Sequence, residues 1–390
     1  MTDALSLSLI LFLAFTGGSL GKRFGYPRVI GQLIICLLFG IPIIRNLVLT
    51  DATESIVHTM SQFGVILLLF LTGFEIDIQQ MRKSAGAAIA IAFFAAIVPF
   101  GVGIVVGRLL GYSTTTSLIL GMCLSVTAEG TKAALLTEMK MIKTRVGSIM
   151  LEAGILDDIF EVLFLTTVLF LSETTATESS ATFPLRIAAF IVIIFLAFRF
   201  VPRLIGLIEK THDGVGLFSG TIGIGMIIAI ASEAAGLGSI LGAFIAGLLM
   251  QKSFLNQDDR MQEEQFLHIL AFALVIPFFF AYIGLHMQFD AIIETPITTL
   301  IILVAAIFGK IGGTLIAFPF TNLRFKQLLL IGWGMNSRGV MELVIAQIAF
   351  AHNLISQELY SIIVFVAVTT TVIFPFVIRH MVKQDEKIMN

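Results

Sequence analysis

The sequence predicts an all-α polytopic membrane protein of about thirteen transmembrane helices, built as inverted-topology repeats with two broken helices. Three observations predict it. Apolar residues make up 57% of the 390 and charged residues only 13%, with a mean hydropathy of +1.00, far from the composition of soluble domains. Apolar runs of spanning length recur along the whole chain. Basic residues fall alternately between them, as cytoplasmic loops require. The net charge of -2 leaves no basic surface for a nucleic acid.

A spanning helix takes roughly 20 mostly apolar residues. By that measure the runs at 4–20, 29–44, 60–78, 86–108, 115–137, 146–171, 184–207, 216–234, 237–251, 265–286, 293–318, 327–350 and 357–380 are candidates. The first, in "MTDALSLSLILFLAF", lacks a basic n-region and a small-residue cleavage site, so it reads as a retained helix. "SEAAGLG" separates the eighth and ninth runs, as a turn or as a kink. "SETTATESSATF", residues 172–183, reads as a flexible connection between the halves.

Lys and Arg test this division. After the odd-numbered runs lie Lys22, Arg23 and Arg28; Arg82 and Lys83; Lys140, Lys143 and Arg145; Arg199, Arg203 and Lys210; Lys252 and Arg260; Arg324 and Lys326; and Arg379, Lys383 and Lys387. After the even-numbered runs stand only Arg45, Arg108 and Arg186. The regularity predicts an outside N-terminus and a cytoplasmic C-terminus.

The fifth and twelfth runs are interrupted by polar residues. "SVTAEGTK" places Thr127, Glu129, Gly130 and Lys132 at membrane depth, and "GWGMNSRG" does the same with Asn336 and Arg338. Seven runs apart, the two cross the membrane in opposite directions. Paired broken helices of that kind mark the substrate site of secondary transporters, whereas isolated interruptions would be mere glycine kinks.

Ionisable groups inside apolar runs carry the remaining signal, because they are costly there. Asp157 and Asp158 in "AGILDDIFEVLFL" point about 100° apart on a helix, so they meet different neighbours. Lys310 is a lone cation in the eleventh run and needs a carboxylate, for which Asp157 is the candidate, either as a structural ion pair or as a pair that moves protons. Glu161, one turn beyond Asp157, shares its face. Glu129 and Lys132 are three apart and can neutralise each other; Glu129 can instead meet Arg338, which also has Glu342 four residues on.

Other features carry little chemistry. Cys36 and Cys123 lie in apolar runs without metal-ligand spacing, the six histidines form no cluster, and Glu75 and Asp77 sit at a solvated boundary. Gly103 and Gly107 suit helix packing. "GTIGIG" at 220–225 lies within an apolar run and is no dinucleotide fingerprint.

The ordered set "YPRVIGQLIICLLFGIP", "FGVILLLFLTGFEIDI", "SVTAEGTKAALLTEM", "GSIMLEAGILDDIFEVL", "GSILGAFIAGLLM", "IPFFFAYIGLHMQFDAI", "FGKIGGTL" and "GMNSRGVMELVIA" resembles bacterial cation:proton antiporters of the second large family of that class, most of all the NapA-type sodium/proton antiporters. The resemblance runs over essentially the whole chain. It implies an NhaA/NapA-like antiporter fold and a homodimer in the inner membrane of a prokaryote, with no cofactor. The dimerisation domain would comprise 1–80 and 216–286, the ion-carrying core 85–171 and 293–383, and a loop and linker helix 172–210. Carried over by position, Asp158 is the ion- and proton-binding carboxylate, Asp157 the acid paired with Lys310, and Thr127 part of the first crossover. Na+ is expected at Asp158, Asp157 and Thr127, with Glu129, Lys132, Asn336, Arg338, Glu342 and Glu161 in support. Where many relatives have a Glu after the Arg-Gly, this chain has Val340, and Glu129 is expected to replace it as the partner of Arg338.

The function expected is exchange of Na+ or Li+ for H+ by an elevator-type movement, two protons per ion if Lys310 also releases one. A K+/H+ or potassium-efflux-type transporter is the alternative, although many of those carry a C-terminal nucleotide-binding domain and this chain ends at "MVKQDEKIMN". A cation channel is a more distant rival. An intramembrane aspartyl protease is disfavoured because adjacent acids on one helix diverge and cannot share a proton.

Overall fold

A helix lies on each of the expected runs in the computed structural model, which describes residues 3–48, 50–75, 86–174, 183–209, 214–235, 238–254 and 256–389. Among the described residues there is no strand. The first run forms α1 (Asp3–Arg23). The second is α2 (Arg28–Leu37), which passes through a 3-10 turn (Leu38–Gly40) into α3 (Pro42–Val48). Pro42 suits that start, since its fixed φ is helical and its missing N–H would be unsatisfied anyway.

α4 (Asp51–Glu75) begins well before its expected start at 60. Thr50 caps it, its hydroxyl accepting the Thr53 N–H at 3.2 Å. The cap lets the polar stretch "DATESIVH" join the helix. The fourth to sixth runs form α5 (Gly86–Leu109), the half-helices α6 (Thr114–Ser125) and α7 (Glu129–Glu138), and α8 (Arg145–Thr174).

After α9 (Phe183–Glu209), α10 (Gly214–Ala234) and α11 (Ser239–Ser253) are separate helices; residues 236 and 237 between them lie outside the described residues, and Gly238 enters α11 at φ 77°, a conformation open to glycine. α12 (Gln257–Leu270) continues through a π-helical turn (Ala271–Val275) into α13 (Ile276–His286). Pro277, which has no N–H to give the regular ladder, lies just past that turn. The short α14 (Phe289–Glu294) precedes α15 (Pro296–Ile316), the half-helices α16 (Phe325–Gly334) and α17 (Val340–Ala351), and α18 (Gln357–Gln384). Eight helical stretches among the described residues are long and apolar enough to cross a membrane, by length and composition.

The chain divides into two units: Met1–Leu11, Leu49–Ile78 and Leu169–Tyr282 form one, and Phe12–Val48, Gln79–Val168 and Ile283–Asn390 the other. The second run, expected with the dimerisation domain, falls in the second unit. In the first unit, Thr50 and Thr53 both donate to Asp3 Oδ1, at 2.6 and 2.7 Å, joining the start of α4 to the start of α1.

The second unit holds both broken helices. α5 packs tightly on α6 because Gly103 meets Gly121 and Gly107 meets Ser117; a Cβ on Gly103 would stand 2.5 Å from the Gly121 Cα. Small residues let two backbones approach where no hydrophobic effect drives helices together. Gly103→Val is therefore expected to force α5 from α6 and destabilise the unit by about 1–3 kcal/mol. Thermal unfolding in detergent checks this, and an unchanged midpoint would contradict the packing.

Candidate functional site

Two extended segments interrupt the broken helices and cross each other. α6 stops at Ser125, where the β-branched pair Val126 and Thr127 favours extended backbone; Val126 has φ -70° and ψ 150°, and Ala128 φ -98° and ψ 106°. α16 stops at Gly334, and Gly339 is extended before α17. Where the segments meet, the Ala128 N–H donates to the Ser337 carbonyl at 2.7 Å and the Ser337 hydroxyl to the Ala128 carbonyl at 3.1 Å.

The interruptions leave carbonyls that need partners at membrane depth. Arg338, fully buried, supplies them for α6: Nη1 donates to the Cys123 carbonyl and Nη2 to the Leu124 carbonyl, both at 2.7 Å. Nη2 also lies 3.4 Å from the Ala306 carbonyl of α15. Asn336 serves α16, its Nδ2 donating to the Gly332 carbonyl at 3.0 Å and to the Ile307 carbonyl at 3.3 Å. Charges match the dipoles of the half-helices: Arg338 stands at the negative end of α6, while Glu129 and Glu342 lie in the first turns of α7 and α17.

Three side chains converge beside this crossing. Lys310 Nζ, fully buried, donates to Thr127 Oγ1 at 2.6 Å and to Asp157 Oδ2 at 3.0 Å. The Thr127 hydroxyl in turn donates to Asp157 Oδ2 at 2.5 Å. The second Asp157 oxygen, Oδ1, is buried and accepts no hydrogen bond from the described residues. Asp158, on the neighbouring face of α8, is partly exposed. The group thus offers a buried, charge-balanced pair with a carboxylate oxygen to spare, next in the chain to a partly exposed acid.

The transmembrane domain of the sodium/hydrogen exchangers matches residues 9–384 of this chain. The chain belongs to the sodium/hydrogen exchanger family. It is a membrane transporter that exchanges cations for protons, not an enzyme. It is 30% identical to the Na(+)/H(+) antiporter of Enterococcus hirae over 384 residues, 97% of either chain. It is 27% identical to the Na(+)/H(+)-K(+) antiporter GerN of Bacillus cereus, over 98% of this chain and 97% of that one. The solved structure of the sodium proton antiporter MjNhaP1 from Methanocaldococcus jannaschii has the same fold, with a TM-score of 0.71 at 15% identity over 98% of this chain and 97% of that one.

Within this exchanger, the other charged residues pair locally. Arg338 Nη1 lies 3.1 Å from Glu342 Oε1, with both side chains fully buried, and Glu129 pairs with Lys132. The expected Glu129–Arg338 partnership is therefore not formed. Glu342 stands one turn from Arg338 on the same helical face, whereas the Glu129 carboxylate emerges at the start of α7 and rests on Gly154 of α8. Lys132 Nζ also lies 3.3 Å from Met335 Sδ, at the end of α16. The side chain of Glu161 lies outside what is described.

Sequence reasoning missed three contributors. Gly154 makes room for Glu129, Met335 meets Lys132, and Thr371 of α18 donates to the Arg338 carbonyl at 2.7 Å. Only Gly154 left a trace, as the small residue one turn before the Asp-Asp pair.

Proposed function

We propose that this exchanger moves Na+ or Li+ against H+, with Asp158 carrying either the cation or the proton and Asp157, Thr127 and Lys310 completing the site. The observation that carries the reading is the buried Lys310–Thr127–Asp157 group at the crossing of the broken helices, with the partly exposed Asp158 beside it. A cation drawn to Asp158 finds a second ligand in Asp157 Oδ1, and the Thr127 hydroxyl oxygen lies alongside. As Asp157 turns to the cation, its hold on the buried Lys310 ammonium weakens, which favours release of the lysine proton. Two protons then exchange for one cation, and transport is electrogenic.

The larger frame belongs to the same proposal: about thirteen spanning helices in NhaA/NapA-like inverted repeats, N-terminus outside and C-terminus cytoplasmic, in a prokaryotic inner membrane. Segments 85–171 and 293–383 form the ion-carrying core, 172–210 the linker, and 1–80 with 216–286 a dimerisation domain against which the core moves as an elevator. Support comes from the alternation of Lys and Arg along the chain and from the grouping of 79–168 with 283–390 in one unit. K+ exchange is the second reading, favoured by the likeness to the Na(+)/H(+)-K(+) antiporter of Bacillus cereus.

Proteoliposomes loaded with a pH dye test both readings. With an imposed pH gradient and clamped potential, addition of Na+, Li+ or K+ is expected to dissipate the gradient for Na+ and Li+, at a rate that follows the potential. Response to K+ alone would favour the second reading. A rate independent of potential would contradict the two-proton stoichiometry.

A further inference from the structure

A second lysine–carboxylate pair stands beside the site, and nothing in the mechanism above uses it. Glu129 is the first residue of α7, two residues after Thr127. A Cβ built on Gly154 would overlap the Glu129 carboxylate, so that carboxylate lies directly on the backbone of α8. Gly154 precedes Asp157 by three residues and Asp158 by four, which places it one turn below both acids and between their directions. The step from Gly154 to Asp158 is about 6 Å along the axis. Asp157 and Lys310 both act electrostatically on Glu129.

Its partner is built like the one beside it. Lys132 is 1% exposed, is held to Glu129 and lies 3.3 Å from Met335 Sδ. Each lysine occupies one carboxylate of the group: Lys310 holds Asp157, and Lys132 holds Glu129. The first crossover thus delivers to α8 a hydroxyl for Asp157 and a third acid within one turn of Asp158.

We infer that Glu129 is a second cation-binding carboxylate of the exchanger, shared with Asp158 and held by Lys132 when no cation is present, and that it biases transport toward Na+ and Li+ over K+. The inference rests on the reading that Asp158 carries the cation. Its physical basis is that Coulomb attraction grows as the ion approaches. A second full negative charge presents a stronger field than a carbonyl dipole and so offsets more of the larger dehydration cost of a small cation. Gly154 is required because any side chain there would displace the carboxylate.

The test uses the full chain in proteoliposomes with an internal pH dye, comparing wild type, the charge-neutral double variant Glu129→Gln with Lys132→Met, and Gly154→Ala, which changes no charge. Apparent KM for Na+ and Li+ is expected to rise about tenfold in the double variant, the size of a lost charge-assisted contact. KM for K+ should rise less, so that the preference for Na+ over K+ falls, and Gly154→Ala should shift the preference the same way. Equal KM changes for all three cations, or none, would overturn the inference. A purely structural pair would lower the thermal unfolding midpoint in detergent and leave the cation preference alone. If the double variant does not fold, Gly154→Ala decides by the same preference. Wild type that moves protons with none of the cations would instead defeat the carrier reading, and this inference with it.

Discussion

Asp158→Asn is expected to abolish cation-driven proton movement, reducing it to the level of protein-free liposomes, while the protein remains folded. The amide keeps the size and much of the hydrogen bonding of the carboxylate but can neither take up a proton nor neutralise a cation. Asp158 is partly exposed, and the amide matches it in size, so the unfolding midpoint should stay close to that of wild type. Asp157→Asn differs. It removes the carboxylate that pairs with the fully buried Lys310 at 3.0 Å, and breaking a buried ion pair by removing one partner is costly. A variant at Asp157 should therefore lose stability as well as transport. Fluorescence-dye flux assays on the two variants, each paired with a thermal unfolding curve in detergent, separate these outcomes. Transport retained by Asp158→Asn would remove the carrier role from that residue.

Arg338→Met is expected to produce the largest loss of stability. The guanidinium bonds the Cys123 and Leu124 carbonyls at the end of α6 and pairs with Glu342, all of them buried. Removing one partner of a buried pair costs about 3–5 kcal/mol, and the two carbonyls would be left without partners in an apolar surrounding. Arg338→Lys should recover little, because an ammonium on a shorter reach cannot serve two carbonyls and a carboxylate in the planar, forked arrangement of arginine. Combining Arg338→Met with Glu342→Met removes the stranded charge but not the stranded carbonyls, so it should restore only part of the loss. Unfolding midpoints for the three variants check this order. A wild-type midpoint for Arg338→Met would show that the carbonyls of α6 find other partners.

The sequence speaks clearly about some of this and is silent about the rest. Helices and their order were legible because lipid leaves few alternatives to an apolar helix, and because Lys and Arg recur after alternate apolar runs. Starts and ends were less so. α4 reaches back through "DATESIVH" since a threonine cap can extend a helix beyond its apolar part, and α12 begins in a polar stretch for which hydropathy gives no signal.

The contact between Lys310 and Asp157 follows from elementary cost, a lone buried ammonium needing an acid, and in the structure they lie 3.0 Å apart. The partner of Glu129 did not follow. Two cations, Lys132 and Arg338, were available near the crossing, and the choice depends on which side of α7 faces α8. That orientation is set by the crossing of Ala128 with Ser337 and by the missing side chain at Gly154, features that no spacing rule encodes.

The central claim is that one site, centred on Asp158, holds either a proton or an alkali cation. Proton release on cation binding tests it without any vesicle. Purified protein in weakly buffered detergent solution, given Na+, should release protons saturably, less so at higher pH where the site is already deprotonated, and Asp158→Asn should release none. Release that is unchanged in Asp158→Asn, or absent from a wild type that still exchanges Na+ for H+ in liposomes, would contradict the claim.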